Sequence, residues 1–137
     1  MTEKYLDVEF RVRYFETDRM GRVHHTHYLT YFEVGRSAFC RHTGMSYNDI
    51  ESAGYYLVVS EAYVRYRSSV SYDELVKVRT HLVQANKRKF IFGYQLLDGS
   101  EERILAEGET HHIVTDLEGK PQALPAELLN YYKPFLS

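Results

Sequence analysis

One change of period constrains this chain more than anything else in it. From about Thr26 to His42 the apolar and small residues Tyr28, Tyr31, Phe32, Gly35, Ala38 and Phe39 recur at three- and four-residue steps. That is the spacing of one helix face, and Gly44 stands where such a helix would stop. Before it, Asp7–Phe15 alternates Val8, Phe10, Val12 and Tyr14 with Glu9, Arg11 and Arg13, which predicts a strand. After a short helical or looped connection over Met45–Gly54, the chain returns to strands. Tyr56–Val70 and Leu75–Gln84 lead to a run through Phe90, Phe92, Tyr94 and Leu96, an Asp98-Gly99 turn, and a return run from Ile104 to Val114. In Leu75–Gln84 the two faces separate cleanly, with Val76, Val78, Thr80 and Leu82 on one and Lys77, Arg79 and His81 on the other. Pro125 is placed to open a terminal helix over Ala126–Phe135. One long helix after the first strand, followed by strands with hairpin-length turns, predicts an α+β fold with an antiparallel sheet. The broad apolar part of the helix, with Leu29 and Val34 beside it, predicts that protein surrounds most of it.

At 137 residues the chain is expected to form one domain, 1–137, large enough to fold without disulfides or metal. Its one cysteine, Cys40, has no intramolecular partner, fits a reducing compartment and reads as core. A net charge of −2 gives no basic field for nucleic acid. The first residues carry no apolar signal segment, and no run is long enough to span a membrane, so a cytoplasmic location is expected. Tyrosine stands out, with 13 copies against no tryptophan.

Chemistry concentrates in the loop that feeds the helix. Asp18 follows the first strand and precedes Gly21, and His24, His25 and His27 stand at the helix entrance. N–H groups at a helix start lack intrahelical acceptors and can hold a carbonyl oxygen as it gains charge. A carboxylate across the loop can attack that carbonyl or activate water. Asp18 has a second reading as the cap of a turn around Gly21. The three histidines do not converge on one side of a regular element, and His111 and His112 face opposite ways on a strand, so no metal site is expected.

The run Glu16-Thr17-Asp18-x-x-Gly21-x-Val23-His24-His25-x-x-Tyr28-Leu29-x-Tyr31-Phe32-Glu33-x-x-Arg36 resembles the signature of hot-dog-fold acyl-CoA thioesterases. It is most similar to the 4-hydroxybenzoyl-CoA thioesterase superfamily, in particular the short bacterial acyl-CoA thioesterases associated with the Tol–Pal system. The resemblance extends over nearly the whole chain, including Gly119-Lys120-Pro121 and Leu124-Pro125 near the end. It implies a hot-dog fold, an antiparallel sheet wrapped around a long central helix, and hydrolysis of acyl-CoA to free acid and coenzyme A without a cofactor. The family's catalytic carboxylate falls on Asp18, and the position whose backbone N–H polarises the thioester carbonyl falls on His25. The chain departs from the Tol–Pal branch at Met20, His24 and His27.

The resemblance also implies basic residues near the coenzyme A phosphates, for which Lys87, Arg88 and Lys89 are the candidates; by composition alone they form a solvated turn. Arg65 and Arg67, two apart on one strand face, are a weaker pair. Tyr55, Tyr56 and Tyr63 suit an acyl pocket contributed by a neighbouring subunit, or equally a core edge. A homodimer or homotetramer is implied, with active sites at the interface. The acyl group remains open between a small-to-medium chain and an aromatic ring of hydroxybenzoyl or naphthoyl type. A non-catalytic acyl-CoA or acyl-carrier binding module is the alternative from another class.

Overall fold

The computed structural model describes residues 4–137. Strand β1 (Tyr5–Arg11) leads through a one-turn 3-10 helix at Tyr14–Glu16 into helix α1 (His27–Thr43). A short helix α2 (Tyr47–Ser52) precedes strands β2 (Tyr55–Tyr66), β3 (Leu75–Ala85), β4 (Lys89–Asp98) and β5 (Ile104–Asp116). Helix α3 (Ala126–Leu129) and a 3-10 turn at Lys133–Phe135 close the described chain. The terminal helix expected over Ala126–Phe135 is thus split, since Pro134 cannot supply the N–H that continuing it would need.

The strands form one antiparallel sheet in the order β1-β3-β4-β5-β2. The hairpins β3–β4 and β4–β5 make its centre, whereas β2, arriving from the helical layer, pairs with β5 at the far edge. The period-two reading of β3 holds, for Val76, Val78, Thr80 and Leu82 are all fully buried under α1. Phe90, Phe92, Tyr94 and Leu96 on β4 and Ala106, Thr110, His112 and Val114 on β5 continue that inner face. On α1, Tyr28, Tyr31, Phe32, Gly35, Phe39 and Cys40 meet it. The Phe32 and Tyr94 rings stack with centroids 4.5 Å apart.

Glycine sets how closely helix and sheet approach. A Cβ on Gly35 would lie 2.3 Å from Thr80 Oγ1, so α1 rests against β3 with no room for a side chain there. Gly44 ends the helix with φ at 96°, a left-handed conformation that favours glycine.

Two expectations change. Tyr14 does not extend β1; the strand stops at Arg11, and Tyr14 lies in the 3-10 turn, 77% exposed. The turn exists because Glu16 folds inward, as described below. In the single chain α1 is covered on one side only, since Leu29 and Val34 are 41% and 37% exposed on its outer stripe.

Candidate active site

The loop from Val12 to Thr26 is built around Glu16, which is completely buried. Its Oε1 accepts the Arg13 backbone N–H at 2.8 Å and the Tyr31 hydroxyl of α1 at 2.9 Å. Its Oε2 accepts Arg13 Nη2 at 2.7 Å and Nε at 3.1 Å. Burial alone would raise its pKa; the hydrogen bonds and charge of Arg13, with the Tyr31 hydroxyl, outweigh burial and hold the carboxyl below the usual range. The Glu16 carbonyl then accepts the His24 N–H at 2.9 Å, so one residue ties both limbs of the loop to the helix.

Asp18 sits at the bend of this loop. Its Oδ1 accepts the N–H groups of Met20 at 2.8 Å and Arg22 at 3.4 Å, and its carbonyl accepts the Gly21 N–H at 3.0 Å. Gly21 takes φ of 76°, which a side chain would strain. The turn-capping reading is therefore realised, but by one oxygen. Among the described residues Oδ2 has no hydrogen-bond partner, and Asp18 is only half-buried.

His25 lies in the turn before α1, which begins two residues later. The next N–H groups are satisfied locally, His27 by the His24 carbonyl and Tyr28 by the His25 carbonyl. Thr26 N–H donates to His24 Nδ1. Among the described residues nothing accepts the N–H of His25 itself. The Tyr66 hydroxyl, at the end of β2, donates to the His25 carbonyl at 3.3 Å and so fixes that end of the residue. The imidazole packs at 4.4 Å between ring centroids on His24 and edge-on to Tyr66.

Asp18 and His25 border the same open cleft of about 490 Å³, with Tyr28, Tyr66 and Arg67 among its other walls. A carboxylate oxygen and an unpaired backbone N–H facing one cavity can together polarise a carbonyl and deliver a nucleophile to it. The two residues that the sequence reading singles out, Asp18 and His25, border one cleft, whereas that reading gives Glu16 and Tyr66 no part in the site. The burial of Glu16 leaves no periodic signal, because an acidic residue in a polar loop reads as solvated.

Of the remaining candidates, Arg67 alone borders this cleft. Lys87, Arg88 and Lys89 form the β3–β4 turn, held by Asn86 Oδ1, which accepts the N–H groups of Arg88 and Lys89 at 2.9 Å. Lys89 is in register with Ile113 and so with Val58, whereas Tyr66 lies at the other end of β2 beside Ala106. The basic turn and the cleft are therefore at opposite ends of the sheet within one chain. Tyr55 packs against the core and Tyr56 is partly exposed at that same far end. Tyr63, expected at an acyl pocket, instead faces away from α1, where it borders a shallow cavity with His81 and Glu109. Arg65 shares that outer cavity, while Arg67 stands past the end of β2, lines the cleft and pairs with Glu107. Cys40 is buried, and burial pushes its thiol up to about 11, which leaves it unreactive. Among the described residues no three His, Cys, Asp or Glu side chains are grouped to hold a metal ion, and no helix is long and apolar enough to cross a membrane.

A single antiparallel sheet curved over one long helix, with a carboxylate loop at the helix entrance, is the hot-dog architecture of thioester hydrolases. Residues 12–131 match the model of the thioesterase-like superfamily, and the chain belongs to that family. The acyl-CoA thioester hydrolase YbgC of Escherichia coli O157:H7 is 27% identical over 124 residues, covering 90% of this chain and 92% of its own. Among solved structures, the DHNA-CoA thioesterase of Staphylococcus aureus superposes with a TM-score of 0.88 at 30% identity, over 95% of this chain and 89% of that one. The hypothetical protein TT1821 of Thermus thermophilus gives 0.89, also at 30% identity, over 97% and 98%. The protein is a thioester hydrolase of the hot-dog class.

Proposed function

We propose that the chain hydrolyses small to medium acyl-CoA thioesters to the free acid and coenzyme A, with Asp18 and the His25 backbone N–H as the acting groups. The observation carrying this reading is that Asp18 and His25 border one cleft, with Asp18 Oδ2 and the His25 N–H unpaired among the described residues. The thioester oxygen accepts the His25 N–H, which stabilises negative charge as the carbonyl carbon becomes tetrahedral. Asp18 Oδ2 either attacks that carbon, expelling the thiolate and leaving a mixed anhydride that water cleaves, or takes a proton from the attacking water. Both routes require an ionised carboxylate with one oxygen free.

Asp18→Asn tests this sharply, because asparagine keeps the Oδ1 that caps the turn and removes the charged oxygen. Release of free thiol from an acyl-CoA panel should fall by a factor of about 100 or more, with melting unchanged. Undiminished turnover would exclude the assignment, and a collapse in melting would return Asp18 to a turn-capping role.

An aromatic acyl group is the second reading. Tyr28 and Tyr66, edge to face at 4.9 Å, wall the cleft and offer a ring surface for stacking, and the similar Staphylococcus aureus protein is a DHNA-CoA thioesterase. The same panel, with a benzoyl or naphthoyl member, separates the two.

We further propose a homodimer with sites at its interface. β2 is an edge strand with Tyr56, Val58, Val59, Tyr63 and Tyr66 exposed, a combination that invites pairing with another strand. Antiparallel pairing of two β2 strands about their middle would set Tyr66 of one beside Tyr55 of the other. The partner's basic turn would then reach the end of the sheet that carries the cleft, where Lys87, Arg88 and Lys89 could meet the coenzyme A phosphates.

A further inference from the structure

Farther along α1 from the Asp18 loop, residues of α1, β2 and β5 line a second, separate cavity of about 310 Å³. Leu29, Val59 and Ala62 give it apolar walls, and Arg36 and Thr110 stand at its inner end. Arg36 is 92% buried, being 8% exposed, yet among the described residues no carboxylate lies within ion-pair distance. Its Nη1 donates to the Tyr94 hydroxyl at 3.2 Å, while its buried Nε has no acceptor. A buried charge without a counter-ion is costly and is normally answered by one.

The surroundings cannot neutralise it. Tyr94 Oη accepts from Arg36 and lies 2.6 Å from Thr110 Oγ1, itself 2.8 Å from His112 Nε2. With His112 neutral and its Nδ1–H on the Leu57 carbonyl at 3.4 Å, Thr110 donates to Nε2 and Tyr94 to Thr110. Every hydrogen in this chain points away from Arg36, so the network holds the guanidinium in place without giving it an anion. The Tyr47 ring lies 5.7 Å from it, and among the described residues the buried Tyr47 hydroxyl, itself uncharged, makes no geometrically sound hydrogen bond. Glu33 is the other charged residue on the cavity wall, and it is exposed one turn away.

The geometry points to a binding site for the far end of the acyl group: Arg36, in the wall of this cavity beside Leu29, Val59 and Ala62, takes a carboxylate, so that the preferred substrates are acyl-CoAs whose chain ends in a second carboxylate. This deepens the proposed thioesterase reading and rests on it for the position of the thioester. His25 and Arg36 are eleven positions apart in sequence, about 16 Å at the helical rise, and a helical side chain leans back toward the N-terminus, which leaves roughly 10 Å to span. An extended chain advances about 1.2 Å per bond, so the fit is a diacid of roughly eight carbons.

The test compares suberate with octanoate, equal in length and differing only in the far carboxylate, first as free acids by calorimetry and then as their CoA thioesters by thiol release. Suberate should bind at least about tenfold more tightly, as a charge-assisted pair at a buried guanidinium requires, and suberyl-CoA should show the higher kcat/KM by a similar factor. Arg36→Met should remove the difference, and Arg36→Lys should keep part of it, which covers the case in which the methionine variant does not fold. Equal or tighter binding of octanoate by the unmodified protein overturns the inference and assigns the Arg36 charge to Glu33 or to solvent. If suberate is preferred but neither thioester is cleaved, the carboxylate site stands and the thioesterase reading falls.

Discussion

At the scale of single residues, this protein uses buried charge twice, in opposite ways. Glu16 has every lone pair answered by Arg13 and Tyr31, and the reward is a loop with a fixed shape behind Asp18. Arg36 keeps its charge unanswered among the described residues in the wall of the second cavity. His112, at the far end of the chain that runs from Arg36 through Tyr94 and Thr110, is neutral, its Nδ1–H donating to the Leu57 carbonyl and its Nε2 accepting from Thr110. Burial, with the Arg36 charge nearby, holds its pKa down to about 4 from the ordinary 6.5. An unfolded chain takes up this proton near pH 6.5 and the folded one only near 4. Stability should therefore fall between those values by about 3 kcal/mol and level off below them. Urea melts at pH 7, 5.5 and 4 should show this, and His112→Gln should flatten the slope; an unchanged slope would place the acid sensitivity elsewhere. Little of this was legible beforehand. Arg36 stands four positions after Phe32 and three before Phe39, so helical spacing puts it on the buried face. Spacing cannot say whether such a cation finds a carboxylate, since that partner would come from another element.

Among the elements, α1 and β3 are the best read from sequence, and they approach closely at Gly35. Their periods are unambiguous because each presents one clean apolar face, and Gly44 ends the helix for a stated backbone reason. The 3-10 turn at Tyr14–Glu16 was invisible because Tyr14 keeps the alternation of β1 while Glu16, two residues on, pulls the chain inward. The contact at Gly35 gives a quantitative check. Gly35→Ala places Cβ 2.3 Å from Thr80 Oγ1 and 3.1 Å from a Val78 methyl, so α1 must lift from the sheet. A loss of about 2 kcal/mol is expected despite the better helix propensity of alanine. Among the described residues Thr80 Oγ1 is buried without a partner, so its removal costs no hydrogen bond. The double variant Gly35→Ala/Thr80→Ala should therefore recover most of that loss in thermal melts. Additive destabilisation would show that the close approach is not what Gly35 provides.

For the whole molecule, the sheet order was not readable from one sequence. Hairpins announce β3–β4 and β4–β5, but nothing local says that β2 returns to the outer edge beside β5 or that β1 inserts next to β3. That order is what separates the basic turn from the cleft within a chain, and it makes the proposed dimer testable by mixing. Subunits carrying Asp18→Asn lack the proposed acting carboxylate, and subunits carrying Lys87→Ala, Arg88→Ala and Lys89→Ala lack the basic turn. Mixed and re-associated, they should regain activity, because a hybrid dimer has one site that joins an intact Asp18 to an intact basic turn. No recovery, with hybrids verified by native mass spectrometry, would put both features in the same chain's site. The exposed outer stripe of α1 carries a further consequence for change over time. Glu16 secures the hydrolytic loop from behind, through Tyr31 on the buried side of the helix, whereas Leu29 and Glu33 line the second cavity from the open side. On the proposed reading, mutation can retune the choice of acyl group on one flank of a single helix while the Asp18 loop on the other stays untouched.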